Sequence, residues 1–184
     1  MVKNRFYRFI RATWRPFATF LHPLRVEGLE NLPKDQPVLL CANHSSAVDP
    51  ILLICAMRQD FPLRIMAKKQ LMKIPVVGAA VKTSIQSLRD GWNLLVFPEG
   101  TRVKEPGSVD VKGGVGMMAI RSGVPLVPVF IGRDKRLFHR VSIIIGKPYD
   151  PVYTGRKGTA EEYQSNAEEI MRRTYALGGI QWQR

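Results

Sequence analysis

His44 and Asp49 stand in an H-x-x-x-x-D arrangement within Asn43-His44-Ser45-Ser46-Ala47-Val48-Asp49. A neutral imidazole can take a proton from an alcohol near pH 7. A carboxylate beside it fixes the tautomer and stabilises the imidazolium that forms. This spacing does not stack two side chains on one helical face, so the pair meets only across a turn or a helix start. Ser45-Ser46 supplies such a break. Asp49 has an alternative task, capping a helix that begins at Pro50.

A second segment, Phe97-Pro98-Glu99-Gly100-Thr101-Arg102, continues the apolar run Leu94-Leu95-Val96-Phe97. The end of a buried strand is where α/β sheets commonly bind ligands. Gly100 lets the backbone approach a ligand, Thr101 offers a hydroxyl, and Arg102 can grip phosphate in a bidentate fork. The alternative is a plain turn with Glu99 and Arg102 as a surface ion pair. Both motifs in this order favour the ligand site.

The elements that must position these residues alternate in type. Leu24–Gly28, Val38–Ala42, Arg64–Ala67, Leu94–Phe97, Leu126–Ile131 and Val141–Ile145 read as strands. Residues 50–58, 82–88, 115–121 and about 159–176 read as helices, with Gly123 ending the third. Such alternation predicts an α/β sandwich: one domain, its sheet mostly buried and flanked by helices. At 184 residues the chain suits one full core.

Lys and Arg number 28 against 15 Asp and Glu, a formal net charge of +13. Such a field attracts polyanions, either nucleic acid or an anionic lipid surface. Residues 4–21 distinguish the two: Phe6, Ile10, Trp14, Phe17 and Leu21 recur at helical spacing, Phe9 and Phe20 widen the stripe, and Lys3, Arg5, Arg8, Arg11 and Arg15 surround it. Aromatic on one side and cationic on the other describes a helix lying in a lipid headgroup layer. The alternative is a helix packed on its own domain with solvated arginines. Residues 1–22 are therefore expected to be a membrane-association segment, with Pro16 dividing it into two short helices. No zinc-finger spacing or aromatic–basic RNA-binding signature accompanies the charge, so no nucleic-acid partner is expected. No run approaches the ~20 apolar residues of a spanning helix, and arginines interrupt any signal-peptide core. Cys41 and Cys55 form no C-x-x-C pair, so neither a metal site nor a disulfide framework is expected, and a reducing cytosol fits.

Asn43–Pro50 and Phe97–Arg102 resemble the first and third sequence blocks of the glycerolipid acyltransferases, specifically the 1-acyl-glycerol-3-phosphate acyltransferase family. Val124-Pro125-Leu126-Val127-Pro128-Val129 resembles the fourth block, and Leu29–Pro33 and Ala67-Lys68-Lys69 are also similar, so the likeness runs from about residue 24 to 131. The resemblance implies an acyltransferase domain over residues 23–184, with a mixed sheet. It implies that His44 is the general base, that Asp49 orients it, and that Glu99, Gly100, Thr101 and Arg102 hold the substrate phosphate. The implied substrates are lysophosphatidate and an acyl-CoA or acyl carrier protein thioester. No bound cofactor or metal is implied, and the implied location is the cytoplasmic side of a membrane.

One family block is absent. The pattern G-x-x-F-[IV]-x-R, whose arginine contacts substrate phosphate in the family, should follow Lys73-Ile74-Pro75-Val76-Val77-Gly78. Here Ala79-Ala80-Val81 lead straight into Lys82–Leu88. A relative that keeps the fold without turnover is therefore the alternative reading. Gly114–Ala119 also fits G-x-G-x-x-A, with Asp134 after a later strand, which would suggest a dinucleotide site. The preceding Ser108–Lys112 is polar and short, and Pro125 and Pro128 argue against a central strand next. The glycines are better read as permitting close helix packing, with Lys112 a further contact to phosphate.

Overall fold

A computed structural model describes residues 5–58, 60–61, 63–65 and 77–182. Its centre is a six-stranded sheet made of β1 (Leu24–Glu27), β2 (Leu39–Ala42), β3 (Leu63–Ile65), β4 (Asn93–Val96), β5 (Leu126–Ile131) and β6 (Val141–Ile145), in the order β1-β6-β5-β2-β4-β3. Strands β2 to β5 are mutually parallel where they pair, β6 runs antiparallel to β5, and β1 pairs parallel with β6. The sheet is therefore mixed, as expected.

Helices cover both faces, which is why β2 reads as an unbroken apolar run. On one face lies α2 (Asp49–Ala56), whose Leu52, Leu53 and Ala56 pack with Leu40, Ala42, Leu95, Val127 and Val129. On the other lie α3 (Val77–Arg89), α4 (Gly114–Ser122) and α5 (Ala160–Leu177). There Leu88, Val115, Ala119, Ile170 and Tyr175 pack with Leu39, Cys41, Leu94 and Val96. Leu39, Leu40 and Leu95 are fully buried, and each such side chain stabilises the fold by roughly 1.5–3 kcal/mol relative to exposure. The close approach of α4 to α5 requires Gly116, where a Cβ would sit 2.1 Å from the Tyr163 carbonyl oxygen. This explains Gly116 of the G-x-G-x-x-A match, whereas a Cβ at Gly114 would meet nothing within 4 Å. Thr159 caps α5 in a capping box with Glu162.

The chain leaving β2 enters α2 on one face, while the chain leaving β4 proceeds to α4 on the other. Two adjacent parallel strands whose connections part in this way open a crevice at their carboxyl ends. Both motifs sit there.

Two expectations are corrected. First, α1 spans Arg5–Leu21 as one helix with Pro16 inside it. Pro16 is solvent-exposed, so the carbonyl it leaves without a donor can be hydrated, and the proline interrupts the ladder without ending the helix. The side chains described on α1 are Phe9 and those from Ala12 onward. Second, β5 is interior despite Pro128. The Pro128 carbonyl accepts from Gly146, so its donorless nitrogen faces the same side, at the end of β6; only the reciprocal bond to the Gly146 carbonyl is forgone, and pairing with β2 is untouched. Residues 66–76, containing Ala67-Lys68-Lys69 and most of the Lys73–Gly78 stretch, lie outside the described residues. Beyond them α3 leads directly into β4.

Candidate active site

Asn43 follows β2 and extends its pairing with its side chain. Its amide donates to the Ile131 carbonyl at 3.0 Å and its carbonyl accepts from Ile131 N at 2.7 Å. That clamp fixes where the chain leaves the sheet, and His44 is the next residue. His44 Nδ1 lies 3.0 Å from Asp49 Oδ2. The same oxygen accepts the backbone N–H groups of Ser45 and Ser46 at 2.8 and 2.7 Å. Asp49 thus turns back onto the loop and the imidazole rather than capping α2, which has Val48 at its N-cap position and no side-chain cap.

The His44 side chain keeps 18% exposure and Asp49 none, the arrangement of a reachable base backed by a sheltered acid. With Nδ1 donating to Asp49, the lone pair resides on Nε2. The imidazole stacks on Phe97 at 4.3 Å between centroids. Burial pushes the Asp49 carboxyl up, but the His44 hydrogen bond, the Lys135 charge and the two serine amides outweigh it, leaving Asp49 below the usual carboxylate range.

The second motif closes on the peptide of His44 itself. The His44 N–H donates to Glu99 Oε2 at 2.7 Å, and the His44 carbonyl accepts from Val103 N at 2.7 Å. Residues 100–102 are held between these anchors as a short loop. Gly100 has φ +63° there, a left-handed turn that glycine adopts without cost. Thr101 and Arg102 are exposed, and among the described residues Arg102 makes no hydrogen bond or ion pair. No described residue engages its guanidinium.

Glu99 has a different position from its neighbours. It is 5% exposed, and its other oxygen accepts the Tyr175 hydroxyl from α5. Both oxygens serve protein donors, so Glu99 braces the two motifs rather than facing a phosphate. Burial raises its pKa against the opposing hydrogen bonds, while burial and the Glu99 carboxylate together push the Tyr175 phenol up. Arg133, whose Nη2 reaches the Val103 carbonyl at 3.5 Å, adds positive charge beside both.

His44, Asp49 and the Glu99–Arg102 turn are thus brought together. Lys112 is not. It is exposed, its neighbour Val111 accepts from Gln164 on α5, and no hydrogen bond or ion pair among the described residues joins Lys112 to the cluster. Sequence reasoning missed Lys135, whose Nζ lies 3.1 Å from Asp49 Oδ1. Burial lowers its pKa and Asp49 resists that change. It also missed Tyr175. A shallow depression lined by Pro33, Lys34, Asp35, Arg58 and Asn93 lies elsewhere, by the start of β4, and contains none of these groups.

A mixed α/β sheet with a histidine–aspartate pair at a parallel switch point is the class the geometry defines. The family model described as Acyltransferase matches residues 23–86 and 79–132, more than half of the sequence, and the chain belongs to that family. The chain is 28% identical over 178 residues to the Arabidopsis thaliana 1-acyl-sn-glycerol-3-phosphate acyltransferase LPAT1, chloroplastic, which covers 79% of this chain and 49% of that protein. It is 30% identical over 133 residues to the 1-acyl-sn-glycerol-3-phosphate acyltransferase of Borreliella burgdorferi, covering 61% and 52%. The chain therefore spans about half the length of these relatives. Its fold is similar to the crystal structure of the 1-acyl-sn-glycerophosphate (LPA) acyltransferase, PlsC, from Thermotoga maritima, at TM-score 0.66 and 28% identity, covering 95% of this chain and 79% of that one.

The alignments also locate the absent block. The 178 aligned positions exceed the 79% of 184 residues that they cover, so the relative carries residues inside the matched region that this chain lacks. The family match breaks and overlaps at residues 79–86, just past Gly78, where the second block would stand.

Proposed function

We propose that this protein moves a fatty acyl group from a thioester donor, acyl-CoA or acyl carrier protein, to the free hydroxyl of lysophosphatidate, giving phosphatidate. The observation that carries the reading is the His44–Asp49 pair, at 3.0 Å, beside a turn whose Arg102 guanidinium is engaged by none of the described residues. The names of the relatives and of the solved structure support the same substrate class.

Arg102 would take the phosphate of the acceptor, with Thr101 and the Gly100 backbone beside it. Nε2 of His44 removes the hydroxyl proton while the oxygen attacks the thioester carbonyl, and Asp49 stabilises the imidazolium. The tetrahedral adduct collapses, the carbon–sulfur bond breaks, and the departing thiolate takes the proton from His44. No covalent acyl-enzyme is required.

The exposed aromatics of α1, Phe9, Trp14, Phe17 and Phe20, together with the +13 charge, support a peripheral site on the cytoplasmic face of an anionic membrane. No helix among the described residues is long and apolar enough to cross a bilayer. The loss of the second block favours one further reading, a membrane-bound relative without turnover. Purified protein incubated with an acyl thioester and either lysophosphatidate or glycerol 3-phosphate separates the two. Acceptor-dependent release of thiol supports transfer, and its absence at saturating acceptor supports the non-catalytic reading.

A further inference from the structure

We propose that the loop Gly132–Arg140, between β5 and β6, is a second membrane-docking element, placing Leu137 and Phe138 in the interfacial layer of an anionic bilayer beside α1. The proposal rests on the peripheral-membrane reading of α1 and extends it to a part of the chain distant in sequence. Leu137 and Phe138 are 57% and 61% exposed at the tip of the loop. Adjacent exposed apolar side chains of this size mark an interaction surface rather than ordinary surface composition.

The backbone gives a second, independent sign. Phe138 has φ +64° and is the sole non-glycine residue with positive φ among those described. A bulky residue in this region is strained, and such strain persists where the surrounding structure holds it. Here the Phe138 N–H donates to the Leu21 carbonyl at 2.7 Å, tying the loop tip to the end of α1. Glycine or asparagine would fit this backbone without strain. A phenyl ring held there and left in water has its use outside the molecule.

The ring continues the aromatic face of α1. Phe138 meets Phe20 edge-to-face at 5.6 Å, and Trp14 meets Phe17 in the same way at 6.3 Å. Phe17 and Phe20 are neighbours on one helical face. The result is a ridge of rings rather than a groove for a protein segment. Around it stand the exposed Arg15, Arg136 and Arg140 and the half-exposed His139. The loop's one acid, Asp134, is taken by Arg136 and His139. Cationic side chains ringing inserted aromatics complement anionic headgroups.

The root of the same loop reaches the catalytic pair: Lys135 Nζ is 3.1 Å from Asp49 Oδ1. Ile51 is exposed on the first turn of α2, two residues beyond Asp49, and α1 packs against α2. The docking face and the mouth of the site therefore share their supports, so a lipid acceptor would enter from the surface on which the loop rests.

The test uses the full chain and vesicles of phosphatidylglycerol mixed with phosphatidylcholine, scored by co-sedimentation. Phe138→Asn relieves the backbone, so its thermal midpoint should equal or exceed that of the wild type, while vesicle partitioning falls about tenfold or more. Leu137→Ser should fall similarly, and transfer to a short-chain, monomeric lysophosphatidate should be unchanged in both. Leu137→Cys carrying an environment-sensitive fluorophore should shift to shorter wavelength on vesicles; Cys41 and Cys55 are buried and escape labelling. Wild-type partitioning by both loop variants, with loss in Phe17→Ser, would overturn the loop's role and leave α1 as the docking element. Failure of the wild-type chain to bind the vesicles would remove the α1 reading, and the loop with it.

Discussion

Glu99 accepts the backbone N–H of His44 at 2.7 Å, so the acid of one motif fixes the main chain of the other. Its second oxygen receives the Tyr175 hydroxyl. This makes Glu99 a structural joint between β2, β4 and α5. Glu99→Gln retains an acceptor for His44 and a donor for the Tyr175 oxygen, and removes a desolvated charge. It should fold with an unchanged or higher thermal midpoint and keep transfer within about tenfold. Glu99→Ala strands two buried donors at about 1–3 kcal/mol each, so its midpoint should drop clearly. A stable Glu99→Gln protein without any transfer would show that the carboxylate acts on substrate directly.

Arg102 predicts a different signature because it is exposed and unengaged by the described residues. Arg102→Ala should leave the thermal midpoint alone and raise KM for lysophosphatidate by about 10- to 100-fold, the range for losing a hydrogen bond to a charged group. Arg102→Lys should recover part of this, since an ammonium keeps the charge and loses the fork. Steady-state kinetics on both variants checks the assignment. An effect confined to kcat would contradict it.

The acid limb of stability should report the buried Asp49. Its folded carboxyl lies below the usual range, so the unfolded chain takes up that proton first as pH falls. The contribution is complete above an ordinary aspartate pKa of about 3.9 and is lost as pH falls through the folded value. Glu99, raised by burial, acts in the opposite sense, its protonation at low pH relieving a cost. Urea midpoints measured from pH 6 to pH 3 should therefore fall less steeply for Asp49→Asn than for wild type. Lys135→Met should also flatten the slope, by letting the Asp49 pKa rise, and should cost on the order of 2 kcal/mol at pH 6 through loss of a charged partner. Parallel slopes in all three proteins would contradict the Lys135–Asp49 pairing.

Much of the core of this site is legible in the sequence because it is local. His44 and Asp49 are separated by a loop short enough for the spacing to allow their meeting, and Gly100 announces the turn that exposes Arg102. The strands are legible for the same reason: β5 and β6 appear as apolar runs with the boundaries the structure gives them. What escapes is held by contacts distant in sequence. Nothing near Lys135 marks it as the partner of Asp49, since the sheet alone brings the β5–β6 loop over β2. Tyr175 reads as one more apolar position on α5 until its hydroxyl is seen against Glu99. Pro16 misleads because its effect depends on facing solvent, and Pro128 because its effect depends on which side its nitrogen faces. Lys112 lies close to the motif along the chain, but no hydrogen bond or ion pair among the described residues joins it to the cluster.

The most direct measurement is thiol release from an acyl thioester by purified wild-type protein and by His44→Ala, each with saturating lysophosphatidate. The wild type should turn over only when acceptor is present. The variant should stay folded, with a thermal midpoint lowered by loss of the Asp49 hydrogen bond and the Phe97 stacking, and lose about 10²–10⁴-fold in rate, the range for a positioned general base. Equal rates from the two proteins would contradict the assignment of His44 as the base on which this account of the chemistry depends.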